Sequence, residues 1–151
     1  MSGIITQLAE CEDMVGRIYA AYAKHFPDLE DFWLDLSRDE MEHGRLVRFL
    51  GDGIASGITS FTAVEIKPQS VQMFFSYLHS QAARAETETM TLVAALSIAL
   101  NIEKSILEAD YFTYFKGSSI MTANAIRQLL EETKRHRDAV QKKWEEHRRY
   151  S

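Results

Sequence analysis

Apolar residues recur every three or four positions along most of the chain, which is the period of an amphipathic helix. The first such stretch covers residues 4–26 and ends at Pro27. A second stretch begins near Asp28, a residue suited to capping a helix, and stops at Gly51 and Gly53. This half of the chain therefore predicts two long helices joined by a short turn.

The second half repeats this arrangement. Two further long helices are predicted over residues 87–116 and 119–148, and a shorter helix over 69–85. Residues 51–68 have no helical period and read as a long connection. Short loops make antiparallel neighbours, and one long crossover marks the ferritin-like variant of the four-helix bundle. The predicted fold is all-α, a ferritin-like four-helix bundle whose crossover contains a short helix.

Composition agrees with one helical domain over residues 1–151. The chain is 46% apolar and has only 2 Pro and 7 Gly, which leaves room for long helices and argues against a turn-rich β fold. A single cysteine, Cys11, excludes a disulfide scaffold and a four-cysteine metal site within this chain.

Charge and hydropathy limit the classes of partner that we expect for this protein. The net charge is −5, although residues 134–151 carry seven basic against three acidic side chains, so the rest of the chain is acidic. An acidic body argues against nucleic-acid binding, and cations suit the C-terminal end of a long helix. No signal-like N-terminal segment and no apolar run of about 18 residues is present. We therefore expect a cytoplasmic protein that does not span a membrane.

Ionisable residues interrupt the apolar stripe of each long helix near its middle. Glu12 lies four residues after Leu8 on the first predicted helix, so its side chain points with that leucine into the bundle. The same spacing argument places the corresponding residues of the other three helices in the core. These residues are Glu40 and His43 on the second helix, Glu103 on the third and His136 on the fourth.

A buried carboxylate without a partner costs several kcal/mol, so these groups need compensation. Carboxylates and imidazoles are suitable ligands for iron, manganese or zinc, and Glu40-x-x-His43 has the spacing found in di-metal bundles. The Glu-to-His spacing also repeats, from Glu12 to His43 and from Glu103 to His136. The alternative is a metal-free network of buried hydrogen bonds and ion pairs.

Four segments together resemble rubrerythrin-type members of the ferritin-like superfamily. The ordered set Glu, Glu-x-x-His, Glu, His is much more specific than a lone Glu-x-x-His, and the similarity covers all four long helices. The segments are Glu12-x₆-Tyr19, PDLEDFWLDLSRDEMEHGRLVRFL, ALSIALNIEKSILEADYF and LLEETKRHRDAV.

This resemblance implies a di-iron centre that reacts with dioxygen or hydrogen peroxide, as an oxidase, peroxidase or ferroxidase, often in a homodimer. The chain carries no rubredoxin-like module, so electrons for peroxide reduction would come from a separate protein. The resemblance also implies that Tyr19 hydrogen-bonds within the site. The positions that match ligands of the family are Glu12, Glu40, His43, Glu103 and His136.

Two positions depart from the family pattern. Thr133 stands where the second Glu-x-x-His would have its glutamate, and Asp110 stands where a tyrosine is expected. Glu132 is adjacent, but one residue of helix rotates a side chain by about 100°, so a local bulge would be needed to bring it in as a ligand. Asp110 supplies either a replacement carboxylate or a polar contact. The sequence thus leaves open an altered di-metal site, a mononuclear site, or a relic acting as a non-catalytic binding module.

Overall fold

The computed structural model describes residues 2–62 and 66–150, and helices dominate them, so the all-α prediction is confirmed. Residues 63–65 of the predicted connection lie outside the described residues. The five helices are α1 (Ser2–His25), α2 (Glu30–Ala55), α3 (Pro68–Thr87), α4 (Leu92–Ala109) and α5 (Ile120–His147).

Helices α1 and α2 are antiparallel neighbours. The Ser37 hydroxyl donates to the Gly16 carbonyl at 2.7 Å, and Arg48 pairs with Asp13 at 2.5 Å. Later residues of α2 thus meet earlier residues of α1. The two helices approach closely at Gly44, because a Cβ there would collide with the Asp13 carboxylate and lie 3.3 Å from the Ala9 carbonyl oxygen. Antiparallel packing places Glu12 of α1 beside His43 of α2.

Helices α4 and α5 form the second antiparallel pair. The Trp144 indole donates to the Ser97 hydroxyl at 3.0 Å, and His136 lies 3.5 Å from Glu103. Contacts between them again run in opposite sequence order. The predicted antiparallel packing is therefore present, although the connection over residues 110–119 is longer than the short loop that the sequence predicted.

Helix α5 also packs antiparallel to α2. Arg135 bonds Asp39 at 3.1 Å, and Glu132 lies 3.1 Å from His43. It follows that α1 and α5 run in one direction while α2 and α4 run in the other. Since α2 and α4 are parallel, the chain must cross back between them.

Helix α3 makes that crossing and packs along α1. Gln7 bonds Gln72 at 2.6 Å and Arg17 bonds Glu86 at 2.7 Å, so α3 runs parallel to α1. The predicted helix at 69–85 is therefore present, but it is not short. Its 20 residues exceed the 18 of α4.

The second predicted helix ends later than expected. Gly51 and Gly53 do not stop α2, which continues to Ala55. Both glycines lie in regular helix. The predicted cap at Asp28 is also wrong, because Pro27–Leu29 forms a short 3₁₀ turn and no side chain caps α2.

The third predicted helix, 87–116, is shorter at both ends. Thr91 has extended backbone angles and its hydroxyl accepts from the Ala94 N–H, so α4 begins at Leu92. Asp110 has a φ of 56°, and this left-handed residue ends the helix. A 3₁₀ turn over Tyr111–Tyr114 follows.

A small antiparallel sheet was not predicted. Strand β1 (Thr59–Phe61) pairs with β2 (Phe115–Gly117), and Phe61 lies opposite Phe115 with ring centroids 4.6 Å apart. Each strand has only three residues. The sheet ties the connection after α2 to the connection before α5 at one end of the molecule.

All five helices contribute to a common apolar core. Within residues 2–62 and 66–150, none of these helices combines the length and the apolar content needed to cross a bilayer. Polar side chains interrupt the core at one level, and these form the candidate site.

Candidate metal centre

Four helices bring the five predicted ligands into the interior of the molecule. Glu12 is 4% exposed, and the other four side chains are 1% exposed or less. Ionisable groups are seldom buried so completely without a partner. The contributing residues are Glu12 from α1, Glu40 and His43 from α2, Glu103 from α4 and His136 from α5.

Both imidazoles turn Nδ1 toward the carboxylates. His136 Nδ1 lies 2.8 Å from Glu40 Oε1 and 3.5 Å from Glu103 Oε1. His43 Nδ1 lies 3.4 Å from Glu40 Oε2 and 3.7 Å from Glu12 Oε2. Glu40 therefore stands between the two histidines, with one oxygen facing each.

The carboxylates change the titration of both histidines. Burial alone would lower the pKa of His43, but the neighbouring carboxylates of Glu12 and Glu40 outweigh burial and raise the pKa to about 12. For His136, the hydrogen bonds to Glu103 and Glu40 likewise outweigh burial and raise the pKa to about 10. Without a metal, the neighbouring carboxylates thus favour the protonated form of both imidazoles.

The carboxyl groups of Glu40 and Glu12 differ in how readily they ionise. Burial and the charges of Glu103 and Glu12 raise the pKa of Glu40 well above its usual range. For Glu12, burial opposes ionisation, but the neighbouring Glu40 and His43 lower its pKa overall. Glu40 thus resists holding a negative charge more than Glu12 does in the metal-free protein. A cation next to it would remove that resistance.

Several polar atoms of the site have no hydrogen-bond partner among the described residues. A buried polar group left in this state costs about 1–3 kcal/mol, and more if it is charged. Such atoms are expected where a ligand is to be bound. The four in this site are Glu12 Oε2, Glu40 Oε2, His43 Nδ1 and Glu103 Oε2, and all belong to predicted ligands.

The outer nitrogen of each imidazole is held by a carboxylate from the opposite helix. Asp39 Oδ2 of α2 lies 2.9 Å from His136 Nε2, and Glu132 Oε1 of α5 lies 3.1 Å from His43 Nε2. Arg135 contacts both carboxylates, at 3.1 Å and 4.0 Å. A carboxylate on one ring nitrogen fixes the ring orientation and leaves the other nitrogen for a metal.

Glu132 therefore stands at the outer edge of the site. It reaches His43 without the predicted helix bulge, because α5 is a regular α-helix throughout its length. Its side chain is 16% exposed and also accepts a hydrogen bond from Gln128. In this arrangement Glu132 holds the His43 ring from outside, whereas the sequence placed Glu132 among the candidate ligands.

Thr133 and Asp110, the two positions that depart from the family pattern, lie in different surroundings. Thr133 is buried in the site, but its hydroxyl donates to the Leu129 carbonyl at 2.7 Å and supplies no charge. The alternative in which Asp110 replaces a missing carboxylate is wrong, because Asp110 is exposed and ends α4.

Tyr19 lies at the site as the resemblance implied. Its fully buried hydroxyl donates to Glu103 Oε1 at 3.3 Å. Burial and the Glu103 carboxylate raise the pKa of Tyr19 well above its usual range. Tyr19 is therefore a phenol that stays protonated and whose proton is directed at Glu103.

Sequence reasoning missed Asp39 and Arg135. A signal for Asp39 was present, because Asp39 and Glu132 each lie four residues before a ligand histidine, His43 and His136. The acidic-x₃-His spacing therefore repeats even though the inner glutamate does not. Arg135 is 65% exposed and gave no such signal.

The arrangement as a whole can hold a metal ion. The potential ligand atoms of Glu40, His43 and His136 lie within 4.8 Å of one another, and Glu12 and Glu103 stand next to them. Comparisons with protein-family models, curated proteins and solved structures find no match to this chain. Function is therefore inferred from the side chains of the site.

Removing an outer carboxylate tests this geometry. We expect Asp39→Asn and Glu132→Gln each to weaken metal binding by about 10–100-fold, because the imidazole is no longer oriented by a carboxylate. Asp35→Asn is the matched control, since Asp35 is exposed on the same helix as Asp39 and pairs with exposed Arg38 at 3.3 Å. Isothermal titration with Mn²⁺ measures the three affinities. Equal affinities in all three variants would contradict the assigned role of the outer carboxylates.

Proposed function

We propose that this protein is a rubrerythrin-like member of the ferritin-like superfamily that binds iron between its four long helices. We propose further that it uses the iron to reduce hydrogen peroxide or to oxidise ferrous ions with dioxygen. The directions of α1, α2, α4 and α5, with α3 crossing back, support the ferritin-like topology. The site residues support the metal.

One observation carries the proposal. Three carboxyl groups and two imidazoles from four different helices meet in a buried space and contact one another. Burial and the neighbouring carboxylates oppose ionisation of Glu40 there. Bound cations would favour its ionised form and would satisfy the four polar atoms that lack hydrogen bonds.

The histidines and the carboxylates would have different roles in holding the metal. His43 and His136 would bind through Nδ1, because Glu132 and Asp39 occupy Nε2. Glu40, with one oxygen toward each histidine, would hold the metal together with Glu12 and Glu103. Iron in this ligand set supplies one-electron redox chemistry toward oxygen species.

The surrounding residues suit such chemistry. Trp33, Tyr19 and Tyr22 are fully buried and exclude water from one side of the site. A proton can be held at Glu40, whose pKa is raised, and at Tyr19 Oη, which donates to Glu103. The protein thus provides a dry site with protons directed at it.

Anaerobic iron titration with elemental analysis tests the proposal. We expect bound ferrous iron in the unaltered protein, followed by oxidation of that iron when peroxide or dioxygen is added. Visible absorption follows the oxidation. A protein that binds no iron, or whose bound iron is inert to both oxidants, would contradict the proposed activity.

A second candidate function is a non-catalytic metal-binding or protein-interaction module. Thr133 favours it, because this residue removes a fourth carboxylate from the site and uses its hydroxyl within its own helix. A site with three carboxylates has less negative charge with which to hold two cations. High thermal stability without metal, and metal binding without redox chemistry, would support this alternative.

Restoring the missing carboxylate distinguishes a degenerate site from a complete one. We expect Thr133→Glu to raise the bound metal from one ion to two per chain if the natural site is degenerate. Thr133→Gln is the matched control, because it has the same shape without the charge. Elemental analysis after anaerobic loading counts the ions. Two ions in the unaltered protein would show that Thr133 does not limit loading.

A further inference from the structure

Arg135 of α5 contacts the outer carboxylates of both candidate ligand histidines. Its Nη2 atom lies 3.1 Å from Asp39 Oδ2 and 4.0 Å from Glu132 Oε2. Asp39 Oδ2 lies in turn 2.9 Å from His136 Nε2, and Glu132 Oε1 lies 3.1 Å from His43 Nε2. One guanidinium is therefore separated from each imidazole ring by a single carboxylate.

The polar contacts around the two imidazoles form a closed ring. On the inner side, Glu40 Oε2 lies 3.4 Å from His43 Nδ1, and Glu40 Oε1 lies 2.8 Å from His136 Nδ1. On the outer side, a carboxylate–guanidinium–carboxylate chain joins the two Nε2 atoms. The two imidazoles are stacked, with their centroids 5.4 Å apart. A change at the guanidinium thus reaches both of them.

The shape of arginine suits this position. Glu132 and Arg135 lie three residues apart on α5, so their side chains share one face of the helix. Asp39 approaches the same guanidinium from α2. A planar guanidinium has five N–H donors and can bind two carboxylates at once. Since the Arg135 side chain is 65% exposed, its ion pairs contribute little to the stability of the fold. Its main effect is therefore on the two carboxylates that it holds.

Resting on the metal site proposed above, we propose that Arg135 is a positioning residue that couples the orientations of the two ligand histidines. Arg135 holds Asp39 against His136. It also holds Glu132 against His43. Each carboxylate fixes its imidazole so that Nδ1 faces the buried site, which is the usual role of a carboxylate behind a ligand histidine. One exposed side chain thus sets the geometry of two ligands that come from different helices.

The sign of the change in metal affinity tests this role. Arg135→Gln removes a positive charge near a cation site, and that loss by itself would strengthen metal binding. Loss of positioning has the opposite effect. We expect Arg135→Gln to weaken Co²⁺ binding by about 3–10-fold, which is less than the loss of an outer carboxylate causes. Titration followed by the visible absorption of bound Co²⁺ measures the affinity, and we expect the absorption bands to shift because the ligand geometry changes.

Arg137→Gln is the matched control. Arg137 lies two residues later on α5 and pairs with exposed Asp138 at 2.8 Å. This change removes the same charge from the same helix but leaves the contacts of both outer carboxylates in place. We expect Co²⁺ binding no weaker than that of the unaltered protein, with unchanged absorption bands.

Combined variants test whether Arg135 acts through both histidines. We expect Arg135→Gln to weaken Co²⁺ binding further in Asp39→Asn, where the Glu132 contact remains, and also in Glu132→Gln, where the Asp39 contact remains. An effect that disappeared in either background would overturn the coupling, and unchanged or tighter binding in Arg135→Gln alone would overturn the positioning role. Failure of the unaltered protein to bind Co²⁺ would instead contradict the proposed metal site on which this role rests.

Discussion

Glu40→Ala is expected to weaken metal binding by more than about 100-fold, beyond the usual cost of losing an outer partner of a ligand. Glu40 is the residue whose two oxygens face both histidines, at 2.8 Å from His136 and 3.4 Å from His43. Its loss removes the carboxyl group that lies between the two imidazoles and faces both of them. Metal content after anaerobic loading and dialysis measures the effect.

Glu42→Ala is the matched control for that experiment. Glu42 lies on the same helix two residues later, and its carboxylate pairs with Arg45 at the surface. We expect this variant to bind metal as the unaltered protein does. Glu40→Gln separates charge from shape, and we expect it to lose most of the affinity as well. Retention of metal by both Glu40 variants would remove the basis for the metal centre.

The helices could be predicted because their signal is repeated many times. Each long helix has an apolar residue at every third or fourth position, so one position that breaks the pattern does not change the prediction of a helix. The boundaries depend on single residues instead. Thr91 and Asp110 set the ends of α4 through one hydroxyl contact and one left-handed backbone angle. Neither feature interrupts the apolar pattern.

The sheet could not be predicted for a different reason. Strands β1 and β2 have three residues each and lie more than fifty residues apart in sequence. Their pairing depends on where the helix ends bring the two connections. Phe61 and Phe115 then pack together, but two isolated phenylalanines in the sequence do not predict a pair of strands.

The candidate ligands could be predicted because charge inside an apolar stripe is conspicuous. Glu12, Glu40, His43, Glu103 and His136 all lie where that argument placed them. Asp39 lies outside the apolar stripe, so this argument does not find it, and only its acidic-x₃-His spacing to His43 could have pointed to it. The structure shows that Nδ1 of each histidine faces the inner carboxylates and Nε2 an outer one.

Metal binding is expected to stabilise the protein strongly. The native site binds the ion and the unfolded chain does not, so metal at about 100 times its dissociation constant adds about 2.7 kcal/mol to the free energy of unfolding. Removal of metal by a chelator should lower the melting temperature accordingly. Glu40→Ala, which lacks the central ligand, should show no metal-dependent difference. Differential scanning calorimetry under anaerobic conditions measures both proteins.

The difference in melting temperature between metal-bound and metal-free protein should widen as the pH rises. In the metal-free protein, the raised pKa values of His43 and His136, about 12 and about 10, contribute stability that is complete below about pH 6.5 and falls as the pH rises toward those values. The raised pKa of Glu40 acts in the same direction, because its ionisation in the folded state is opposed as the pH rises above its unfolded value. Glu12 has a lowered pKa and contributes stability that is lost only in acid.

The metal-bound protein should not follow this decline. Ligand imidazoles have already released their protons, and bound cations favour the ionised carboxylates, so higher pH favours the bound state. We therefore expect the gap in melting temperature between metal-bound and metal-free protein to be larger near about pH 8 than near about pH 6. A gap that narrowed over this range would mean that metal binding does not displace protons from His43 and His136. The ion would then be bound elsewhere, because a metal at Nδ1 of these buried rings must replace the proton that the neighbouring carboxylates hold there.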